Sequence, residues 1–444
     1  MKLTHVCCWS AIALLLSSVA TVADDWPRFR GPRADGVAMN DARLPLTWSQ
    51  KENVAWTADV PGWGWACPVV VRDRVFIATV VSDEAGTEPK AGLYLGRGVR
   101  DAPEIVHHWI VVCYDLNSGN ELWTRELHEG IPQVPRHPKS TYASETPCSD
   151  GERLYVLFGD VGLYALDLDG NELWRQDIEP KKTFFDYGAA ASPVVHDGQV
   201  YVVYDNRESS WIRSYDAKTG NIRWEQEREE THSWATPFVW VHDQRAELVV
   251  PGHNQNRSYD LNGNLLWHFD GDMSNLVIPS PFAAHGMLYI TSGYFMDRHR
   301  PAFAIKPGAS GDLGSFEDET FKRWLGWYQE KAGPYNPTPI VYGDLYYTLF
   351  DHGFLTCHNA HTGEEIYGKV RFKPSGSFTS SPWAYNGHLF FLSEQGTTYV
   401  VKAGPTFELV GKCDLDELCL SSPGISNGKL LIRTASKLYA LTKK

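Results

Sequence analysis

One motif recurs along this chain and limits what it can fold into. Asp-x-x-x-Gly-x-x-x-Trp runs from Asp115 to Trp123 and again from Asp216 to Trp224. A copy one residue shorter runs from Asp167 to Trp174 and from Asp260 to Trp267, and a worn copy from Asn359 to Tyr367. Upstream of the turns, a small residue precedes a proline that opens an apolar run. These prolines are Pro68, Pro147, Pro193, Pro237, Pro281, Pro339, Pro382 and Pro423. Neighbouring prolines lie 41–46 residues apart, except from Pro68 to Pro147 and from Pro281 to Pro339, where insertions stand. Self-similarity at this period means a solenoid or a propeller.

The best-preserved unit reads as four short strands. Ser192-Pro-Val-Val-His leads to Asp197-Gly198, then Gln199 to Tyr204, Trp211 to Tyr215, the Asp216 turn and Asn221 to Trp224. Asp-Gly between apolar runs is a hairpin signal, because Gly accepts positive φ at little cost. Four antiparallel strands make one propeller blade. A blade cannot bury both faces alone, so it stacks on its neighbours. Trp56, Trp123, Trp174, Trp224, Trp267 and Tyr367 are expected to fill the wedges between blades. The last unit supplies three strands and stops. Glu52-Asn-Val-Ala-Trp56 has the form of the missing outer strand. The expectation is an all-β, eight-bladed propeller of four-stranded blades over residues 48–444. The N-terminal strand closes the ring and protects its edges.

Residues 1–23 read as a signal peptide: Lys2, an apolar stretch from Ala11 to Val19, and Thr21-Val-Ala23 as a cleavage site. The apolar stretch is too short to span a membrane. These features predict an exported, periplasmic or extracellular protein that does not cross a membrane. Residues 24–47 are expected to pack on the propeller. Beyond the leader stand Cys67, Cys113, Cys148, Cys357, Cys413 and Cys419. An exported chain permits disulfides, and Cys413 with Cys419 is the candidate pair on proximity, against a reading of buried free thiols. The absence of Cys-x-x-Cys argues against a zinc or redox motif. A net charge of −13 disfavours nucleic acid as a partner.

The run Ala191-Ser-Pro-Val-Val, Asp197-Gly-x-Val-Tyr-Val, Tyr215-Asp-x-x-Thr-Gly-x-x-x-Trp224 resembles the repeat of PQQ-type quinoprotein propellers. That superfamily holds quinoprotein alcohol dehydrogenases and BamB-type outer-membrane assembly scaffolds that carry no cofactor. Asp25-Trp26-Pro27 to Pro32 also resembles the opening stretch of exported members. The dehydrogenases are similar to one another in an adjacent Cys-Cys disulfide, a Trp floor and a calcium held by Glu, Asn and Asp. Here the only adjacent cysteines, Cys7-Cys8, lie in the leader, and no calcium ligands align. The resemblance therefore implies a non-catalytic binding or scaffolding module, monomeric, without a cofactor. Its partner would be an envelope or secreted protein, or a small-molecule or carbohydrate ligand. Two alternatives stay open: a PQQ- and calcium-dependent oxidoreductase, and a carbohydrate-active enzyme. No Gly-x-Ser-x-Gly, His-Glu-x-x-His or phosphate-loop motif is present.

Propellers place ligands at one mouth of the channel, on loops held by a rigid frame. Loops leading into the inner strands offer Trp63, Trp65, Tyr142, Glu145, Tyr187, His232, Trp234, Asn275, Tyr335, Asn336 and Phe378 as candidates. Asp351, His352 and Glu394 stand on loops between the middle strands. No metal-binding residue is assigned. In the second insertion Phe321, Trp324, Leu325 and Tyr328 fall at helical spacing, which predicts an amphipathic helix over 316–329.

Overall fold

A computed structural model describes residues 24–92, 98 and 100–444; the predicted leader, 1–23, lies outside the described residues. Eight antiparallel sheets radiate as propeller blades, each following sequence order from its inner strand outward. The exception is the eighth. Its outer strand is Val54–Asp59, paired antiparallel with Lys437–Leu441. The two ends of the chain thus close the ring in one sheet, which leaves no blade incomplete.

The recurring motif has a packing cause. The turn glycine adopts a left-handed backbone, with φ of +74 at Gly119, +84 at Gly170, +74 at Gly220 and +87 at Gly263. Each lies flat against the tryptophan of the preceding blade: Trp56, Trp123, Trp174 and Trp224 respectively. A Cβ on any of them would sit within 3.0 Å of the indole. The indole N–H donates to a carbonyl of the same turn region: Trp56 to Leu116, 2.9 Å, and Trp174 to Ala217, 3.1 Å. The repeated Trp and Gly are therefore two halves of one joint between blades. Trp267 departs from this pattern. It is fully buried and donates 2.6 Å to Glu247 of its own blade. Tyr367 is only half-buried between blades 6 and 7.

The second insertion corrects the helical expectation. Only Glu319–Lys322 forms a helical turn. Gly311–Ser315 adds to blade 4 as a fifth strand, parallel to Leu265–Asp270. Leu325–Gln329 is the outer strand of blade 5, paired with Ala302–Ile305. The aromatic residues do pack together: Phe321 meets Phe269 at 4.4 Å and Tyr328 meets Phe303 at 5.1 Å. They arrive from a turn and a strand, because blade 5 needs its fourth strand and Trp327 is its docking tryptophan. Trp327 donates 2.7 Å to Ala360 and lies on Gly363.

All six cysteines among the described residues are free and buried, Cys413 and Cys419 included, so no disulfide joins that pair. Both sit in the apolar cluster shared by blades 7, 8 and 1, and burial pushes the Cys413 thiol up to about 12. Among the described residues, no helix is long and apolar enough to cross a membrane.

The N-terminal segment crosses the propeller face that carries the hairpin turns. Trp26 bridges to Val70, and Val37 to Ala384. Arg30 is buried and donates to Thr338 O at 3.0 Å and Pro339 O at 2.8 Å. Burial lowers its pKa to about 10.

Candidate functional site

The residue before each blade-opening proline has one backbone donor and, in seven blades of eight, one hydroxyl. The N–H of Cys67 donates to Thr146 Oγ1 at 3.0 Å. Thr146 N–H donates to Ser192 Oγ at 2.9 Å, and Ser192 N–H to Thr236 Oγ1 at 3.0 Å. The relay continues through Ser280, Thr338, Ser381 and Ser422, at 3.2, 3.0, 3.0 and 2.9 Å. Every blade is thus latched to the next around the axis. Proline follows because the next residue needs no ladder N–H. Cys67 stands where an eighth hydroxyl would be. Its thiol is contacted by Thr146, Ser421 and Ser422, and burial raises its pKa.

These eight residues form the wall of a cavity of about 240 Å³ on the propeller axis. Phe29 of the N-terminal segment, which crosses the face that carries the hairpin turns, also lines it. Towards the other mouth the wall is aromatic and basic: Trp65, His137, Lys139, Tyr187, Trp234 and Tyr335, with Asn336. Trp65 and Trp234 are fixed by indole bonds of 2.8 Å to the Lys139 and Gly188 carbonyls. Tyr187 stands edge-on to His137 at 4.6 Å. The loop holding Tyr187 is strained. Phe185 and Asp186 both take left-handed backbones, φ 53 and 54, a cost usually met at functional sites.

Lys139 forms an ion pair with Glu394 of blade 7 and also donates to Thr379 Oγ1 at 2.8 Å. Thr379 donates 2.7 Å to the same carboxylate oxygen. Glu394 Oε2 accepts the Gly92 N–H at 3.1 Å. Glu394 is fully buried among these neighbours and is not one of the residues lining the cavity. The first insertion meets the mouth on two sides. Lys90 and Gly92 bond Pro138 and Glu394, while Arg100 bonds Asp186 and the Phe185 carbonyl.

Of the eleven candidates, Trp65, Tyr187, Trp234, Tyr335 and Asn336 line the cavity, and six do not. Trp63 bridges to Val80. Asn275 is exposed and bound to Asp297. Phe378 is fully buried against Phe372 and Tyr399. His232 stacks on Phe184 and His253, and burial lowers its pKa to about 4. Tyr142 and Glu145 face a separate small cavity with Asp160. Burial, then the Asp160 charge, raises Glu145 to about 8; burial raises Asp160 to about 7. Sequence reasoning missed the hydroxyl relay, although its sign, a small residue before each proline, was visible. Phe29 belongs to the Asp25–Pro32 stretch that was expected to pack across a propeller face, whereas His137 and Lys139 give no comparable sign.

A calcium-held quinone requires six to eight oxygen ligands, carboxylates prominent among them. No Asp or Glu is among the described residues lining the cavity. Its hydroxyls already accept backbone N–H groups. The donor set therefore does not fit calcium.

The family model described as outer membrane protein assembly factor BamB, PQQ_2, matches residues 107–366, more than half the chain. The chain belongs to the PQQ_2 family. Its fold is similar to BamB from Moraxella catarrhalis, at 12% identity and TM-score 0.51, over 83% of this chain and 98% of that one. It is also similar to a europium-containing methanol dehydrogenase, at 10% identity and TM-score 0.61, over 94% and 98%. A computationally designed protein, Ika8, aligns at 11% identity and TM-score 0.52, over 78% and 94%. At these identities the likeness is one of fold. No curated protein matches the chain in sequence.

Proposed function

We propose that this PQQ_2 propeller is an exported, non-catalytic binding module that takes a small sugar-like ligand into its axial cavity. The observation that carries the reading is the composition of the wall. Aromatic faces at Trp65, Tyr187, Trp234 and Tyr335 surround the mouth, and a circle of hydroxyls lines the interior. Sugars present apolar C–H faces to aromatic rings and hydroxyls to polar groups, so both halves of such a wall are used. Each ring hydroxyl accepts one backbone N–H, and those that do not meet the Cys67 thiol keep an O–H to donate. Without a cavity-facing carboxylate, the wall does not offer the carboxylate pair that glycoside cleavage uses. It also lacks the carboxylate ligands for a metal-held quinone. Export rests on the leader reading of residues 1–23.

The test is intrinsic fluorescence and calorimetry of the purified chain against a panel of mono- and disaccharides. The expected result is saturable binding that quenches tryptophan emission and weakens at least about tenfold in Trp234→Ala, the loss of one stacked anchor. No binding by any sugar, or a stoichiometric spectral shift with PQQ and calcium, refutes the reading.

A further inference from the structure

We propose that His285, Asp344 and His361 form a divalent transition-metal site that staples blade 5 to blade 6. His285 tops the hairpin between Phe282–Ala284 and Met287–Thr291 of blade 5. Asp344 tops the hairpin between Ile340–Tyr342 and Leu345–Leu349 of blade 6. His361 stands in the outer turn of blade 6, before Gly363. Three turns that the sequence separates are therefore brought together on the face opposite the open mouth.

The geometry suits a small ion. One ring nitrogen from each histidine and one Asp344 oxygen lie within 4.8 Å of one another. His361 Nε2 is 3.1 Å from Asp344 Oδ1, and His285 Nε2 is 3.9 Å from it and 2.9 Å from the Gly343 carbonyl, a hydrogen bond that the ion would replace. A tetrahedral zinc ion with ligands at about 2.0–2.1 Å sets its ligand atoms about 3.4 Å apart, between those two values. The imidazole rings lie 4.4 Å apart, centre to centre. Two imidazoles with one carboxylate form a borderline donor set that suits zinc, nickel or copper and not calcium or magnesium. The three residues leave a fourth position for water.

The choice of residue at 285 adds a second observation. The matching turns of blades 3, 7 and 8 use Asp197, Asn386 and Asn427 before Gly, all with left-handed backbones. His285 adopts the same conformation, φ 52, before Gly286. Asn or Asp would fit this position at less cost, yet an imidazole occupies it and faces the next blade. Solvent reaches all three side chains, 30%, 76% and 46% exposed, so an ion can load and leave. Each ring must then offer a lone pair, with its proton on the other nitrogen. A second group, His108, Glu126 and Glu129, supplies a control. It has one imidazole, whose two nitrogens already meet Asp83 and Glu126.

The experiment uses the full chain, washed with chelator and titrated with zinc chloride by calorimetry, with parallel thermal melts. We expect one ion per chain at micromolar Kd, and a Tm that rises with zinc because only the folded state assembles the site. His285→Asn and His361→Asn each weaken binding by more than about tenfold. Asn suits the left-handed turn at 285, and an unchanged far-UV spectrum confirms that the variants fold. Glu126→Gln/Glu129→Gln leaves the titration as in the parent. Binding only at millimolar zinc, or equal binding by His285→Asn/His361→Asn and the parent, overturns the site. Its failure leaves the sugar reading untouched, since the axial cavity opens on the other face.

Discussion

Replacing Gly220 with alanine tests whether the Trp–Gly joint holds neighbouring blades together. Two costs are expected. The first is conformational: an alanine held at φ +74 sits in the left-handed region, at about 1 kcal/mol. The second is steric. The new Cβ would lie 2.6, 2.7 and 3.1 Å from Trp174 Cε3, Cδ2 and Cγ. The indole is anchored by its 3.1 Å bond to Ala217 O and cannot swing aside freely. Overpacking of this kind costs about 1–3 kcal/mol, for a total of about 2–4 kcal/mol. Gly198→Ala is the control: its φ is +69 and a Cβ there meets nothing within 4 Å. It incurs the first cost alone. Unfolding entropy of about 0.9 kcal/mol/K, for roughly 420 residues unfolding as a unit, converts these into Tm losses of about 1 °C for Gly198→Ala and 2–4 °C for Gly220→Ala. Scanning calorimetry of both variants reads the difference. Adding Gly220→Ala to a Trp174→Ala background should cost no more than the control, because the obstacle is gone. Equal losses for the two glycines, or an undiminished loss without Trp174, would refute the joint.

Trp327→Ala should destabilise by about 3–5 kcal/mol, as expected for a buried docking indole; a urea midpoint close to the parent's would return residues 325–329 to the surface. Lys139→Met leaves the buried Glu394 carboxylate without its cation and should cost about 3–5 kcal/mol. Most of that loss should return in Lys139→Met/Glu394→Leu, read by the same melts. Glu145 has its pKa raised in the fold, from 4.5 to about 8, so the folded state holds a proton that the unfolded state releases. Its contribution to stability is present below about pH 4.5 and is lost as pH rises to about 8. The Tm advantage of the parent over Glu145→Gln should therefore shrink from pH 5 to pH 8. His232, depressed to about 4, works in the opposite direction but is common to both proteins and cancels in the difference. A constant difference across that range would show that Glu145 titrates normally.

The N-terminal part of the chain bears on the cavity in two ways. The strand Val54–Asp59 closes the ring, while the segment before it places Phe29 beneath the hydroxyl circle. Phe29 is held in the cavity wall beside Arg30, which is bonded to the Thr338 and Pro339 carbonyls. The open mouth is shaped by loops of unequal length. Those preceding blades 2 and 3 carry Lys139 and Tyr187, and the first insertion ties both sides of the rim through Gly92 and Arg100.

The sequence alone determined the fold, because a joint made once per blade must be written once per blade. Asp-x-x-x-Gly-x-x-x-Trp encodes the turn, the left-handed glycine and the indole that lies on it, and the unit short of one strand announced closure by Glu52 to Trp56. The loops leading into the inner strands offered eleven candidates, and four aromatic residues with Asn336 line the axial cavity. What failed was local. Phe316 to Gln329 has helical spacing, but the vacancy in blade 5 made Leu325–Gln329 a strand, and pairing partners outside the segment overrode its internal pattern. Phe378 and Glu145 look like loop residues in sequence, yet burial carried them away from the axis. Lys139 with Glu394, and His285 with Asp344 and His361, were not legible at all. Those groups meet only because the ring brings distant turns together, and a non-repeating contact leaves no period to read. Tertiary structure therefore decided the site: which side chains face the cavity and which charges are paired.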